Sequence, residues 1–265
     1  MHLVAKLASA QDILPLRTRH RQEMNCQIVH DSIHRRPGWT LSYLLELGGA
    51  AVGFGSIAIA GPWKDKPTVF EFYLLPEFRS KSFDFFEALV TAGGARFFEV
   101  QTNETLATAM ALTYAQDIAT EKIVFADHLT TSLSALGAIL RAVTPEEQIR
   151  AGLEQSQGGG EWIMELDGTP AAKGGILFHY NRPYGDIYME VDEAFRRRGL
   201  GAFLVQELKR ECYNLGAIPC ARCSPANVAS RRTLQRAGFV PVAHILIGSF
   251  ASERRQQSPT NSNDK

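Results

Sequence analysis

The sequence predicts a protein of the mixed α/β (α+β) kind, built as two successive units that each carry a mixed, mostly antiparallel central sheet flanked by helices. Three observations point there. In each half a hairpin of two strand-like runs is followed by a third strand, a helix and another strand. A shift of 117 residues lays Phe78 and Arg79 on Phe195 and Arg196, as an internal duplication would. The chain of 265 residues has room for one large domain or two of ordinary size.

In the first half, "LSYLLELGGAAVGFGSIAIAG" reads as the hairpin, "TVFEFYLLPEF" as the third strand, "DFFEALVTAGG" as the helix and "ARFFEV" as the strand after it. In the second half, "EWIMELDGTPAAKGGILFHY" is the hairpin, with its turn near Asp167 and Gly168. The strand "DIYMEV" follows, with Ile187, Met189 and Val191 on one face and Asp186, Tyr188 and Glu190 on the other. The helix "GAFLVQELKRECYNLG" repeats Phe203, Leu204, Leu208 and Tyr213 at helical spacing. After it come the strand "AIPCARCS", a helix "NVASRRTLQRAG" starting near Asn227 and ending at Gly238, and a last strand "FVPVAHILIG".

The boundary between the units is expected between Asp127 and Leu140, giving domains at 1–135 and 136–250. Beyond it Thr144, Pro145 and Glu147 carry the signature of a capped helix start: N-cap, proline at the first helical position, and an acid three residues after the cap. The segment 251–265, "ASERRQQSPTNSNDK", is polar and is expected to be a disordered tail.

Composition excludes several classes. The 28 basic residues balance the 28 acidic ones, so no global field draws in nucleic acid or an anionic membrane, and any anion must be held locally. The start, "MHLVAKLASAQDILPLRTRHR", lacks the apolar core of a signal peptide, and no apolar run approaches spanning length; the expected location is cytoplasmic. Cys26, Cys212, Cys220 and Cys223 are too few and too uneven for a disulfide framework. Cys220 and Cys223 form a CxxC, open to reading as half a zinc site, a redox pair or buried strand cysteines; with no second pair and no nearby histidine, the last is expected. His30 and His34, near Glu23 and Asp31, have ligand-like spacing, yet a solvated helix face is the plainer expectation, and no metal is called for.

The chemistry concentrates in "YMEVDEAFRRRGLGAFLVQEL". A strand that ends, turns through Gly199 and Gly201 and opens a helix presents unpaired backbone N–H groups at the positive end of a helix dipole, which favours phosphate. Glycines let phosphate oxygens approach the backbone, and Arg196, Arg197 and Arg198 add charge-assisted contacts. The Gly-Lys-Ser/Thr of a P-loop is absent. The dinucleotide fingerprint also fails, because Leu204 stands where its third glycine belongs. An ordinary strand-to-helix turn with solvated arginines remains the bland alternative.

The run Met189-x-Val191-x-x-x-Phe195-Arg196-x-x-Gly199-Leu200-Gly201 resembles the acyl-CoA-binding motif of the GNAT superfamily of N-acyltransferases. Asn227, Ser230, Gly238 and Phe239 resemble its second signature, in the right order. The resemblance covers about Arg141 to Gly248 well and the first half only in element order, so the implied fold is a tandem of GNAT-like folds with a degenerate first copy. It implies that backbone N–H groups from Arg196 through Ala202 hold the pyrophosphate of coenzyme A. Met189 and Val191 would pair with the pantetheine arm through their main chain. Asn227 and Ser230 would adjoin that arm, and Arg231 or Arg232 would either reach an outer phosphate or lie on a solvated helix face.

The implied reaction is transfer of an acetyl or longer acyl group from acyl-CoA to a small amine or amino-acid-like acceptor. A lysine-like amine costs about 4–5 kcal/mol to deprotonate at pH 7, so a base or water relay must help. Glu190 is the first candidate base and Asp186 the second. The superfamily's usual acid, a tyrosine seven residues after the helix-opening Asn, is Leu234 here, leaving Tyr188, water or an unassisted thiolate; Cys223 is an outside candidate. In the first half, Arg79-Ser80-Lys81-Ser82-Phe83-Asp84 occupies the matching corner without glycines and with a carboxylate, so one working site is expected. The alternatives are a non-catalytic acyl-CoA-binding regulatory module and a purely structural duplicated protein.

Overall fold

The computed structural model describes residues 2–150 and 158–251. The tail expected at 251–265 lies almost wholly outside the described residues. The first half runs β1 (Leu3–Ala8), α1 (Ala10–Met24), β2 (Thr40–Leu47), β3 (Ala50–Ala58), β4 (Thr68–Leu74), α2 (Ser82–Gly93), β5 (Phe97–Gln101), α3 (Thr105–Tyr114) and β6 (Ala115–Asp127). The second runs β7 (Ala138–Ala142), α4 (Pro145–Arg150), β8 (Gly158–Leu166), β9 (Thr169–Leu177), β10 (Tyr184–Val191), α5 (Leu200–Asn214), β11 (Ile218–Cys223), α6 (Val228–Arg236) and β12 (Phe239–Phe250).

Local chemistry sets many of the ends. Ser9 and Asp12 form a capping box at α1, and at α4 the Glu147 N–H donates to Thr144 Oγ1 while the Thr144 N–H donates to Glu147 Oε2, as the sequence pattern implies. Both hairpins turn on two residues of positive φ, Gly48 and Gly49 in one and Asp167 and Gly168 in the other, the geometry that matches strand twist. Helix α2 lays Phe85, Phe86 and Leu89 on a cluster with Val69, Phe72 and Leu74. Helix α5 lays Leu200, Leu204 and Leu208 on a second cluster with Ile176 and Ile187.

Among the described residues twelve strands join one sheet in the order β1-β2-β3-β4-β5-β12-β6-β11-β10-β9-β8-β7. The halves exchange their last strands: β12, from the end of the second half, pairs antiparallel with β5 of the first, and β6 pairs antiparallel with β11. β12 and β6 also pair with each other along most of their length. Neither half completes its own sheet. This exchange is not visible in the order of elements, and β6 is a strand that the sequence reading left out.

Candidate functional site

β10 pairs in parallel with β11 only from Tyr184 to Asp186, while on its other side it stays paired with β9 through Val191. Beyond Asp186 the two parallel strands part, because β11 follows β6 from Cys220 to Cys223. The backbone edge of Ile187 to Val191 is thus left without a strand partner, and residues from Tyr188 to Val191 are partly or fully exposed. A buried parallel strand with an open edge exposes donors and acceptors that an extended ligand can pair with.

The open edge leads into the arginine and glycine corner. A short 3-10 turn, Glu193–Phe195, is capped by the Asp192 side chain, which accepts from the Ala194 N–H. Arg196 turns back so that its Nε donates to the Val191 carbonyl at 3.2 Å, and Arg198 lies over the Phe195 ring. Arg197 has φ +63° and Gly199 φ +83°, and no side chain caps α5. Among the described residues the N–H groups of Leu200, Gly201 and Ala202 find no protein acceptor. The left-handed turn at a non-glycine residue is strained, and such strain clusters where backbone groups are aimed at a ligand.

A cavity of about 710 Å³ opens over this corner, lined by Met189, Val191, Arg196, Gly199, Asn227 and Ser230 among others. Asn227 caps α6, its Oδ1 accepting from the Ser230 N–H at 2.9 Å. Arg197, Leu200, Gly201 and Ala202 also line it, so ten of the eleven residues expected to hold acyl-CoA share one wall and Arg198 stands beside them. Sequence reasoning missed Arg236. From the last turn of α6 its guanidinium reaches the corner, with Nη1 3.7 Å from where a Cβ on Gly199 would stand. Arg232 lines the same cavity, whereas the Arg231 Nε is buried without a partner.

The first-half corner keeps the frame and loses the opening. Arg79 Nε donates to the Leu74 carbonyl at 3.1 Å, the same bond as Arg196 to Val191 shifted by 117 residues. Its remaining guanidinium is taken by the Glu23 carboxylate. Ser82 is buried, and every residue of β4 is buried, in contrast to the open end of β10. β4 also leaves its parallel neighbour β5 after two residue pairs, but this gap is filled from the protein itself. Glu71 lies against Arg17 and His34, with Asp31 held by Arg17 and Arg21.

His30 and His34 correct an expectation. Neither lies on a solvated helix face: their side chains are 12% and 3% exposed, with His30 Nε2 3.0 Å from Glu99 Oε1 and His34 Nε2 2.6 Å from Glu71 Oε2. Burial alone would push the Glu71 carboxyl up; the His34 and Arg17 charges beside it more than reverse this and hold it well below the ordinary range. Among the described residues no group of three or more His, Cys, Asp or Glu side chains is arranged to hold a metal ion. Cys212, Cys220 and Cys223 are buried free thiols in or beside the sheet, and burial pushes each upward.

The three candidate acid and base residues lie on one face of β10, opposite α5, and are held differently. Asp186 is buried, its Oδ2 3.0 Å from His179 Nε2 and 3.4 Å from Arg222 Nε. Glu190 is exposed beside the corner cavity and paired with Lys173 at 3.2 Å. Tyr188 leans the other way, over β9, to donate to Glu161 Oε1 on β8 at 2.7 Å. Gly175 makes room, since a Cβ there would stand 2.7 Å from the Tyr188 hydroxyl. Burial, with the Glu161 carboxylate adding to it, pushes the phenol well above its usual value. Tyr188 therefore faces away from the open edge. Leu234, at the position of the superfamily's usual tyrosine, is buried in the second-half core.

Two copies of one mixed α/β unit, one of them with an open strand edge running into a bare helix N-terminus, make a tandem GNAT-like fold. Residues 131–239, in the second half of the chain, match the family model described as Acetyltransferase (GNAT) family. Solved structures extend the likeness to the whole chain. A GNAT-family acetyltransferase from Colwellia psychrerythraea superposes with TM-score 0.72 at 16% identity, covering 94% of this chain and 100% of that one. A GCN5-related N-acetyltransferase from Sphaerobacter thermophilus gives 0.62 at 16%, covering 93% and 95%. A tandem GNAT protein from the clavulanic acid biosynthesis pathway gives 0.58 at 13%, covering 96% and 100%. At such identities the likeness is one of fold. No curated protein matches the chain in sequence. Among the described residues no helix is long and apolar enough to cross a membrane.

Proposed function

We propose that the chain is an N-acetyltransferase that moves the acetyl group of acetyl-CoA to a primary amine of a small-molecule or amino-acid-like acceptor, using the second half alone for acetyl-CoA. The observation that carries this reading is the open β10 edge ending at an uncapped helix N-terminus, with Arg236 beside it, while the matching first-half corner is closed. In this reading the N–H groups from Arg197 to Ala202 and the nearby guanidinium groups hold the diphosphate. Main-chain groups of Met189 and Val191 pair with the pantetheine, and Asn227 and Ser230 wall it from α6. The thioester then lies near Asp186 and Glu190, either of which can receive or relay the acceptor's proton. The two halves act as scaffold and active unit, divided near residue 135.

A second reading, an acyl-CoA-binding regulatory module, is favoured by one observation: neither position expected to supply a phenol does so, since Tyr188 is turned to Glu161 and Leu234 replaces the usual tyrosine. Calorimetric titration of the protein with acetyl-CoA, followed by thiol release in the presence of a panel of primary amines, decides. One site per chain with amine-dependent thiol release supports the enzyme; one site without release supports the module. No binding refutes both.

A further inference from the structure

On the face of the sheet that carries Asp186, a second cavity of about 720 Å³ lies where the halves meet. Its floor is β5, β12, β6 and the splayed end of β11, and its wall is the segment after α1 that crosses from the first half to the second. That crossing is tied by polar contacts: the Ser32 N–H donates to the His179 carbonyl at 3.1 Å, the Ile28 N–H to Asn181 Oδ1 at 2.6 Å, and Asn181 Nδ2 to the Cys26 carbonyl at 3.1 Å. The first half thereby positions the loop before β10. Asn181 and Gln27 are buried, so the strap is built in.

His179 and Arg222 line this cavity. The His179 Nε2 faces Asp186 Oδ2 at 3.0 Å, and the ring packs edge-on against Tyr180 at 4.5 Å between centroids. Among the described residues no protein group bonds its Nδ1, and that atom, on a residue that lines the cavity, is not among the buried unpartnered ones. Arg222 Nη2 also lies 3.3 Å from this Nε2; the nearer carboxylate favours a proton on Nε2, the tautomer that leaves the other nitrogen as a proton acceptor. Asp186 is also the last β10 residue paired with β11, so the dyad sits at the apex of the strand gap through which a thioester would emerge. The charged groups around it are Asp186 on β10, Arg222 on β11, Glu99 with His30 on and over β5, and Asp117 and Glu121 on β6, with Lys66 and Arg36 also lining the cavity.

We infer that this central cavity takes the acceptor, a primary amine on an apolar body, and that His179 is its general base with Asp186 as the positioning residue. The inference rests on the acetyl-transfer reading and deepens it. The cavity's chemistry fits that class. Trp63, Phe97, Ile118 and Ile247 give apolar walls, and the carboxylates of Asp117 and Glu121 in the lining favour an ammonium group. Trp63 Nε1 donates to Glu99 Oε2 at 2.8 Å, fixing the indole as a wall. In the reaction the His179 Nδ1 takes one proton from the ammonium and later passes it to solvent. The freed nitrogen lone pair forms the C–N bond, the C–S bond breaks with its electron pair leaving on the coenzyme sulfur, and the second nitrogen proton ends on that sulfur. The products are the amide and the free thiol.

The test uses the whole chain, with 2-phenylethylamine as acceptor, ethanolamine as polar control, and thiol release as readout. His179→Gln is expected to bind acetyl-CoA as the wild type does and to lose about 100-fold or more in kcat, together with the acidic limb of the rate profile. Asp186→Asn is expected to shift that limb to lower pH, which a purely structural role would not do. Trp63→Ala is expected to raise KM for 2-phenylethylamine about tenfold and leave acetyl-CoA affinity unchanged. Wild-type kcat in His179→Gln overturns the base. An unchanged KM in Trp63→Ala, a preference for ethanolamine, or acetyl-CoA binding without turnover of either amine overturns the acceptor cavity. Absence of acetyl-CoA binding by the wild type overturns the reading beneath both.

Discussion

Replacing Gly199 separates backbone strain from charge at the proposed diphosphate site. Gly199 has φ +83°, and a Cβ there would meet nothing nearer than the Arg236 guanidinium, with Nη1 at 3.7 Å and Nη2 at 3.8 Å, which is ordinary contact. Gly199→Ala therefore costs only the left-handed conformation, about 1–2 kcal/mol, or a fall of several degrees in Tm for a chain this size. Gly199→Asp suffers less strain, because Asp tolerates that region, but adds a carboxylate within reach of Arg236. At roughly 5 Å and an effective dielectric of about 20, each pair of like charges repels by about 3 kcal/mol. Even if screening removes most of this, about 2 kcal/mol remains, roughly a 30-fold loss of affinity. Loss of Arg236 to the new carboxylate adds to it. Calorimetry with acetyl-CoA should show Gly199→Asp at least 30-fold weaker, Gly199→Ala less than 10-fold weaker, and Ser80→Asp, an exposed position at the first-half corner, unchanged. Equal weakening by Ala and Asp would mean that charge at this corner is not what the ligand senses. Weakening by Ser80→Asp would place a site in the first half.

Arg236→Ala should weaken acetyl-CoA binding about tenfold and flatten its salt dependence, in titrations at two ionic strengths, since one charge-assisted contact contributes about 1.5–3 kcal/mol. Glu71→Gln should destabilise the protein by about 3–5 kcal/mol in urea melts at neutral pH, because His34 and Arg17 lose their buried partner. The folded-state value of Glu71 is depressed, so its contribution is present above the unfolded value of about 4.3 and is lost as pH falls through the folded one; the mutant's acid limb should be shallower. His20 has the opposite sign. Burial lowers its value but the hydrogen bond and charge of Glu104 raise it further, so its contribution is full below about pH 6.5 and fades as pH rises; His20→Gln should flatten the alkaline side. Calorimetric melting should show one transition for both halves, since β12 completes the first half's sheet and β6 the second's; two separated transitions would refute that coupling.

The corner was legible because its physics is local. Gly199, Gly201, the arginines before them and the alternation of β10 are neighbours in sequence, and a helix N-terminus needs nothing else to favour an anion. The hairpin turns, the caps at Thr144 and Asn227 and the buried strand cysteines were legible for the same reason. What was hidden depends on contacts across long separations. His179 stood at the end of the hairpin run and gave no sign of a role, because Asp186, Arg222 and the Ser32 strap reach it only in the folded sheet. Arg236 ended a helix and gave no sign that its guanidinium returns to Gly199. His30 and His34 read as solvated because Glu99 and Glu71, which bury them, lie 69 and 37 residues away. The strand exchange left no mark at all, since β6 and β12 have the same neighbours in sequence whichever half they complete.

The two halves show how one frame came to have one open site. Both keep the arginine that bonds back to the end of the strand, Arg79 to Leu74 and Arg196 to Val191, so the turn itself does not require a ligand. What differs is what occupies the space beyond it. In the first half, Glu23 of α1 takes the arginine, and Arg17, Asp31 and His34 fill the space around Glu71. Arg17, Asp31, His34 and Glu71 are ionic and nearly solvent-free, so reopening the gap would strand buried charges. The same segment then continues past Asp31 onto the second half, where Ser32 and Ile28 hold the loop that carries His179. Closing one cleft and walling the other are therefore one structural act. On this view, loosening the first-half network should weaken acceptor use in the second half before it changes acetyl-CoA binding.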